Sequence, residues 1–241
     1  MKIFVPLAVL ACAALFASPR GAAGGAGAPA EAPVLLELFT SQGCSSCPPA
    51  DHLLTQLGQD PQLAGRVIPL SFHVDYWNYI GWRDPFSAAA WSDRQDRYSE
   101  AFHLGRVYTP QLVINGRSEC VGSDEAQVRR RIAEAAKLPP AGRLALQLDP
   151  ATATAPTLKV KVDASLTGAK PAHDLEVWVA LYETNLNTAV GRGENARRTL
   201  HNDYVVRRLV RAFTLPATAP ATGAAPRSGV VTLAVDPAWK R

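Results

Sequence analysis

Two cysteines three residues apart, Cys44 and Cys47, stand in the run Gly43-Cys44-Ser45-Ser46-Cys47-Pro48-Pro49. Before them Val34 to Phe39 reads as a buried strand whose one polar residue is Glu37. After them Ala50 to Leu57 reads as a helix with Leu53, Leu54 and Leu57 on one face. A cysteine in the turn before a helix faces unpaired backbone N–H groups and the positive end of the helix dipole. Both stabilise the thiolate, the nucleophilic form, and thiols so placed fall from a pKa of about 8.5 to roughly 3.5–7.5. Cys47, one turn further on, can attack a mixed disulfide made by Cys44. Pro48 and Pro49 suit a first helical turn, where a missing N–H costs little. This spacing suits thiol–disulfide exchange, with Cys44 attacking and Cys47 resolving. The dithiol is itself the redox centre, so no organic cofactor is expected.

Other chemistries compete for the same pair. A static structural disulfide fits the spacing. Cu(I) handling would draw on Cys44, Cys47 and His52 or His73, but the only methionine is Met1, so thioether ligands are missing. Zinc would need four ligands, and neither a second CxxC nor an HxxxH pair is present. No metal is assigned.

The compartment follows from the start of the chain. Met1-Lys2, the apolar run Ile3 to Ala17 and the small residues Gly21 to Gly24 have the layout of a secretory signal peptide. Residues 1–23 are expected to be that signal and 24–32 a flexible Gly/Ala-rich leader. Cys12 would leave with the signal, so the exported protein, periplasmic or secreted, keeps Cys44, Cys47 and Cys120 in an oxidising setting. No later apolar run approaches the roughly 20 residues of a helical span, so no stable membrane span is expected after cleavage. Apolar residues at 47% and charged ones at 19% permit a packed core. Without Lys2 and Arg20, 23 basic residues face 21 acidic ones, too small an excess to indicate nucleic acid.

The elements that must hold the cysteines alternate as β-α-β-α-β-β-α. After the first strand and helix come a strand over Val67 to Val74, an aromatic-rich connection from Tyr76 to Trp91, and a polar helix over about Ser87 to Leu104. A strand at Gln111 to Ile114, the Asn115-Gly116 hairpin signal and a return strand at Arg117 to Val121 follow. A helix over Asp124 to Lys137 closes the series. Past Pro139-Pro140 the grammar changes to strand-like alternation: Leu144, Leu146 and Leu148, then Leu158, Val160 and Val162, then Leu175 to Leu181, Val205 to Leu215 and Val230 to Val235. Two domains are expected, at 33–138 and 141–241. Strands that extend the first sheet are the alternative.

From Val34 to Leu138 the chain resembles the thioredoxin superfamily: a strand, CxxC at a helix start, a strand and helix, then Tyr108-Thr109-Pro110 before two hairpin strands and a helix. The resemblance implies a cis Thr109–Pro110 bond, with Thr109 and Pro110 lining a substrate groove beside Cys44. It implies protein or small-molecule thiols and disulfides as partners. Gly43 and Ser45-Ser46 depart from the Trp and Gly-Pro common in thioredoxins. Phe39-Thr40-Ser41-Gln42-Gly43-Cys44 through Asp51, with His73-Val74-Asp75-Tyr76-Trp77 and Gly193-Glu194-Asn195, is similar to a secreted bacterial family, the domain of unknown function 1223. The fold class expected is α/β: a thioredoxin-like domain followed by a small antiparallel, sandwich-like β domain. The function expected is an exported thiol–disulfide oxidoreductase. The alternatives are a non-enzymatic thioredoxin-like binding module and a Cu(I)-handling protein.

Accessory roles are read more narrowly. Asp51 is either a buried carboxylate that assists proton transfer or an ordinary first-turn acid. His73 and Asp75 leave the second strand where site residues gather, or are plain loop polar groups. Trp77, Tyr79, Trp82 and Trp91 form a lid or pack under the long connection. Cys120 is expected as a buried free thiol. Arg192, Arg197, Arg198, Arg207, Arg208 and Arg211 read as solvated faces.

Overall fold

The computed structural model describes residues 32–150, 156–167, 171–217 and 226–239. The expected signal peptide and nearly all of the leader, with Cys12, lie outside the described residues. No helix among the described residues is long and apolar enough to cross a membrane.

In chain order the first elements are β1 (Val34–Thr40), α1 (Pro48–Gln59), β2 (Val67–His73), α2 (Ala89–Ala101), β3 (Gln111–Ile114), β4 (Ser118–Val121) and α3 (Glu125–Ala136). β1 is buried on both faces, which is why its sequence is a nearly continuous apolar run. It pairs in parallel with β2, from Val34↔Val67 to Thr40↔His73, and antiparallel with β3, from Leu36↔Ile114 to Phe39↔Gln111. Asn115 and Gly116 have φ of 50° and 62°, the left-handed pair that a tight hairpin between β3 and β4 requires. α3 starts at Asp124, whose carboxylate accepts from the Gln127 amide at 3.0 Å.

The two faces of this sheet carry different contents. Val34, Leu36 and Leu38 of β1 pack against Ala50, Leu53, Leu54 and Leu57 of α1, with Val128 and Ile132 of α3 in the same cluster. On the opposite face Phe39 stacks on Phe72 at 5.6 Å, and Trp91 of α2 meets Phe72 edge-on at 5.2 Å. Glu37, buried there, is held by Arg94 Nη2 at 2.6 Å and by the Tyr98 hydroxyl.

The later elements are β5 (Gly142–Leu148), β6 (Thr157–Leu166), β7 (Leu175–Glu183), β8 (Leu186–Ala189), β9 (Thr199–Asn202), β10 (Val205–Leu215) and β11 (Arg227–Ala234). They do not form the single β sandwich expected of 141–241. β7 and β10 belong to a six-stranded mixed sheet of order β4-β3-β1-β2-β10-β7, entered through the parallel pair Val205↔Ser71. The buried, uncharged Val205-Val206 step completes the open edge of β2. β5, β6 and β11 make a separate antiparallel sheet, and β8 pairs with β9 alone. Leu144 is 63% exposed, so the Leu144/146/148 alternation does not mark a buried face.

The chain divides into two compact units. One holds Pro33–Leu138 and Ala180–Arg207, and the other holds the described residues of Pro139–Val179 and Arg208–Arg241. The boundary after Leu138 is therefore accompanied by two further crossings, and the expected second domain contributes 180–207 to the unit that carries the cysteines.

Candidate functional site

The turn Gly43–Cys47 joins β1 to α1. Gly43 is small because Trp77 sits on it: a Cβ there would lie 3.1 Å from Trp77 Cβ and 3.2 Å from its carbonyl oxygen. Cys44 and Cys47 are both free and buried. The Cys47 carbonyl accepts from Ala50 N at 2.9 Å and Asp51 N at 3.1 Å, so it opens α1, with Pro48 and Pro49 in the first turn.

The two thiols are not equivalent. Cys44 Sγ lies 3.2 Å from Ser46 Oγ and 3.9 Å from the Thr109 carbonyl oxygen. The Cys47 thiol donating to its sulfur, helped by Ser46 and Thr109, outweighs burial and brings the Cys44 thiol down to about 6. Cys47 goes the other way: burial first, then its bond to Cys44 and the charges of Asp51 and Cys44, push its thiol well above the ordinary value. Near neutral pH, Cys44 carries the charge and Cys47 keeps its proton.

The Thr109–Pro110 bond is cis, as the superfamily resemblance implies. Thr109 is held from two sides. Trp77 Nε1 donates to its hydroxyl at 2.8 Å, and buried Gln95 of α2 donates to the Tyr108 carbonyl at 2.7 Å and to Gln111 Oε1 at 2.9 Å. The Tyr76 hydroxyl donates in turn to Gln95 Oε1 at 3.0 Å. Ser45 and Ser46 are exposed, but Cys44 itself is only 1% exposed.

Polar groups are buried beneath the turn. Burial raises the Asp51 carboxyl to about 7, against the opposing charge of His73. His73 Nδ1 lies 2.7 Å from Asp84 Oδ2, and Asp84 also accepts from the Gln42 amide at 2.8 Å and the Phe86 amide at 2.9 Å. Those donors and the charge of His73 hold the Asp84 carboxyl below its usual range in spite of burial.

A second group of contacts comes from the far end of the sequence. Asn195 Nδ2 donates to the carbonyls of Gln42 at 3.0 Å and Cys44 at 2.9 Å, while its oxygen accepts from Arg198 Nη1 at 2.9 Å. Glu194 Oε2 accepts from the Ser45 amide at 2.9 Å. Gln42 is buried and spanned by Asn202 at 2.9 Å and by Trp82 Nε1 at 3.2 Å.

Of the residues singled out by sequence, Cys44, Cys47, Thr109 and Trp77 meet directly around one turn, with Pro110 next to Thr109 and Asp51 and His73 below. Asp75 does not join them: its amide donates to Ser92 Oγ of α2 and its carboxylate accepts from the same hydroxyl. The aromatic residues separate by role. Trp91 is core, Trp77 and Trp82 donate into the site, and Tyr79 is 83% exposed. Cys120 is a buried free thiol, pushed up to about 11 chiefly by burial. Among the arginines, Arg198 serves Asn195, Arg207 pairs with Glu183 at 3.3 Å and Arg211 with Glu176 at 2.6 Å. No group of three or more His, Cys, Asp or Glu able to hold a metal ion occurs among the described residues. The sequence assigns no role to Gln42, Asp84 or Gln95, and Gly193-Glu194-Asn195 enters it only through the family likeness.

A protein of Agrobacterium tumefaciens solved by a structural genomics consortium superposes with a TM-score of 0.62 at 27% identity, covering 83% of this chain and 78% of that one. HBP35 of Porphyromonas gingivalis aligns with a TM-score of 0.49 at 12% identity, over 84% of this chain and 63% of the other. No curated protein matches the sequence. Residues 35–235 match the family described as Protein of unknown function (DUF1223), and the chain belongs to that family.

Proposed function

We propose that this protein is an exported thiol–disulfide oxidoreductase built on a thioredoxin-like unit, acting in the periplasm or outside the cell. The order β4-β3-β1-β2, with CxxC between β1 and α1, supports the thioredoxin-like reading. The observation that carries the function is the geometry of the pair: Cys44 Sγ lies 3.2 Å from Ser46 Oγ and 3.9 Å from the Thr109 carbonyl, and Cys47 opens α1 one turn away, an arrangement that lowers the first thiol and raises the second.

In the reducing direction, the Cys44 thiolate attacks one sulfur of a substrate disulfide. A Cys44–substrate disulfide forms, and the displaced substrate thiolate takes a proton from solvent. Asp51 then accepts the Cys47 proton. The Cys47 thiolate attacks Cys44 Sγ, the Cys44–Cys47 disulfide forms, and the second substrate thiolate leaves. The substrate gains two electrons and the protein loses them. The same steps reversed oxidise a dithiol substrate. Thr109 borders the sulfur and, with Pro110, holds the substrate backbone, while Trp77 is tied to the Thr109 hydroxyl beside it. The partners are protein or small-molecule thiols and disulfides.

The burial of Cys44 favours a second reading, a thioredoxin-like binding module whose cysteine pair does no chemistry. Trapping separates the two. The Cys47→Ser variant, mixed with glutathione disulfide, is expected to carry one glutathione per chain on Cys44 by mass. Cys44→Ser should carry none there, with Cys120→Ser as background. Absence of the adduct on Cys44 would leave the binding module.

A further inference from the structure

Beneath the cysteine turn, Thr40 Oγ1, Asp51 Oδ1, Ser71 Oγ and His73 Nε2 are buried with no partner at full hydrogen-bond distance, although Thr40 is near enough to Asp51 to lower its carboxyl somewhat. Thr40 and His73 pair across β1 and β2, and Ser71 lies two residues before His73 on the same face of β2. Thr40 alternates with Leu36 and Leu38, which pack on α1, so these atoms occupy the face that α1 covers, at the carboxyl ends of the strands. Asp51 is in the first turn of that helix. A buried polar group without a partner costs on the order of 1–3 kcal/mol, and here four are gathered in one place under the resolving cysteine.

The state of His73 follows from what faces it. Asp84 Oδ2 is 2.7 Å from Nδ1, and both side chains are fully buried. Since a carboxylate only accepts, Nδ1 is the donor. Nε2 is then the ring nitrogen left for other work. The charged groups around the ring are Asp84 from the loop after β2, Asp51 from α1 and Arg207 from β10, and Phe86 meets it edge-on at 5.3 Å. Arg207 is itself paired with Glu183 of β7. Burial and Arg207 disfavour a charged ring, but Asp84 and Asp51 together overcome them and hold the imidazole above its ordinary value.

We propose that the buried His73–Asp84 pair is a positioning element for exchange: an imidazolium, fixed through Nδ1 by Asp84, whose Nε2–H serves Asp51 while that carboxylate takes and releases the Cys47 proton. A bare carboxylate formed at Asp51 inside the protein would meet the full penalty of burial. The neighbouring cation reduces it, so the base works near neutral pH rather than only in alkali. A His–Asp pair that merely ties the end of β2 to its loop would stabilise the fold and leave the pH dependence of exchange unchanged. The proposal rests on the oxidoreductase reading and deepens it.

The test times the resolving step alone. The full-length reduced protein is mixed with excess glutathione disulfide. Decay of the Cys44–glutathione adduct into the Cys44–Cys47 disulfide is followed by acid quench and mass from about pH 5 to about pH 9, a range that brackets the base. In the natural sequence the rate should rise with a midpoint no higher than about 7, because the Cys44 charge that helps raise Asp51 is gone in the adduct. In His73→Gln the midpoint should move up by about one pH unit, with resolution about tenfold slower at neutral pH. Alkylation of Cys44 should keep its own profile. The same resolution profile in both proteins overturns the proposal while leaving exchange intact, whereas failure of any adduct to form overturns the oxidoreductase reading and the proposal with it. Should His73→Gln not fold, ¹⁵N spectra of the natural protein decide: both ring nitrogens of His73 protonated while Asp51 titrates supports the proposal, and a neutral ring there overturns it.

Discussion

Asn195 donates its side-chain amide to the carbonyl of Cys44 at 2.9 Å from 151 positions away, and to that of Gln42 at 3.0 Å. The turn that presents Cys44 is therefore fixed by a segment that lies between two short strands, β8 and β9, far along the chain. Replacing Asn195 by alanine removes donors from two carbonyls in a buried setting. We expect Asn195→Ala to lose about 2–3 kcal/mol of stability, measured by urea denaturation of the reduced protein. Stability equal to that of the natural sequence would contradict this role.

The asymmetry of the thiols makes a prediction about rates. Iodoacetamide modification of Cys44 should follow a midpoint near 6. The Cys47 thiol is the main group lowering it, so Cys47→Ala should raise that midpoint toward the ordinary thiol value, while Cys47→Ser, which keeps a donor, should raise it less. Identical profiles in all three proteins would show that the Cys47 thiol does not stabilise the Cys44 thiolate.

Access to Cys44 should depend on Trp77. The indole N–H bond to Thr109 holds the aromatic connection beside the turn. Trp77→Phe keeps an aromatic ring and loses that bond. A net hydrogen bond of about 1 kcal/mol corresponds to roughly fivefold faster alkylation of Cys44 through easier opening. No acceleration would mean that some other group covers the sulfur.

Asp51 gives a stability signature with a definite sign. Its folded carboxyl sits at about 7, against an ordinary 3.8. The folded state therefore binds this proton more tightly than the unfolded state. The contribution is fully present below about pH 4, is lost as pH rises toward 7, and is flat above. Asp51→Asn should stabilise the protein at about pH 8 by on the order of 4 kcal/mol, with the difference vanishing near pH 4. Paired urea titrations at both pH values check it, and a difference independent of pH would contradict the raised carboxyl.

Much of the site was legible because its signals are local. Cys44 and Cys47 announce themselves by spacing, α1 by the leucine period after Pro48-Pro49, and the β3–β4 turn by Asn115-Gly116. Glu37 stands out as the single acid in an otherwise apolar strand, but nothing in the sequence points to Arg94 as its partner. What was not legible depends on partners distant in sequence. Nothing near Gln42, Asp84, Gln95 or Asn195 marks them as buried connectors, since each is an ordinary polar residue until the fold brings its partner. Asp51 has the same type and place as a common first-turn acid, and only the strand ends beneath it make it a buried one. The alternation in β10 indicates a strand but not its neighbour, so the join of Val205 to Ser71 could not be read, nor could the exposure of Leu144 on β5.

The most direct test of disulfide exchange at Cys44–Cys47 is the reduction potential of that pair. Protein lacking the expected signal, on a Cys120→Ser background, is equilibrated with glutathione buffers and the dithiol fraction counted by mass after alkylation. Exchange predicts a potential between about −120 and −270 mV, the range of working dithiol oxidoreductases. A bond that stays oxidised until below about −300 mV, the behaviour of a structural disulfide, would contradict the account.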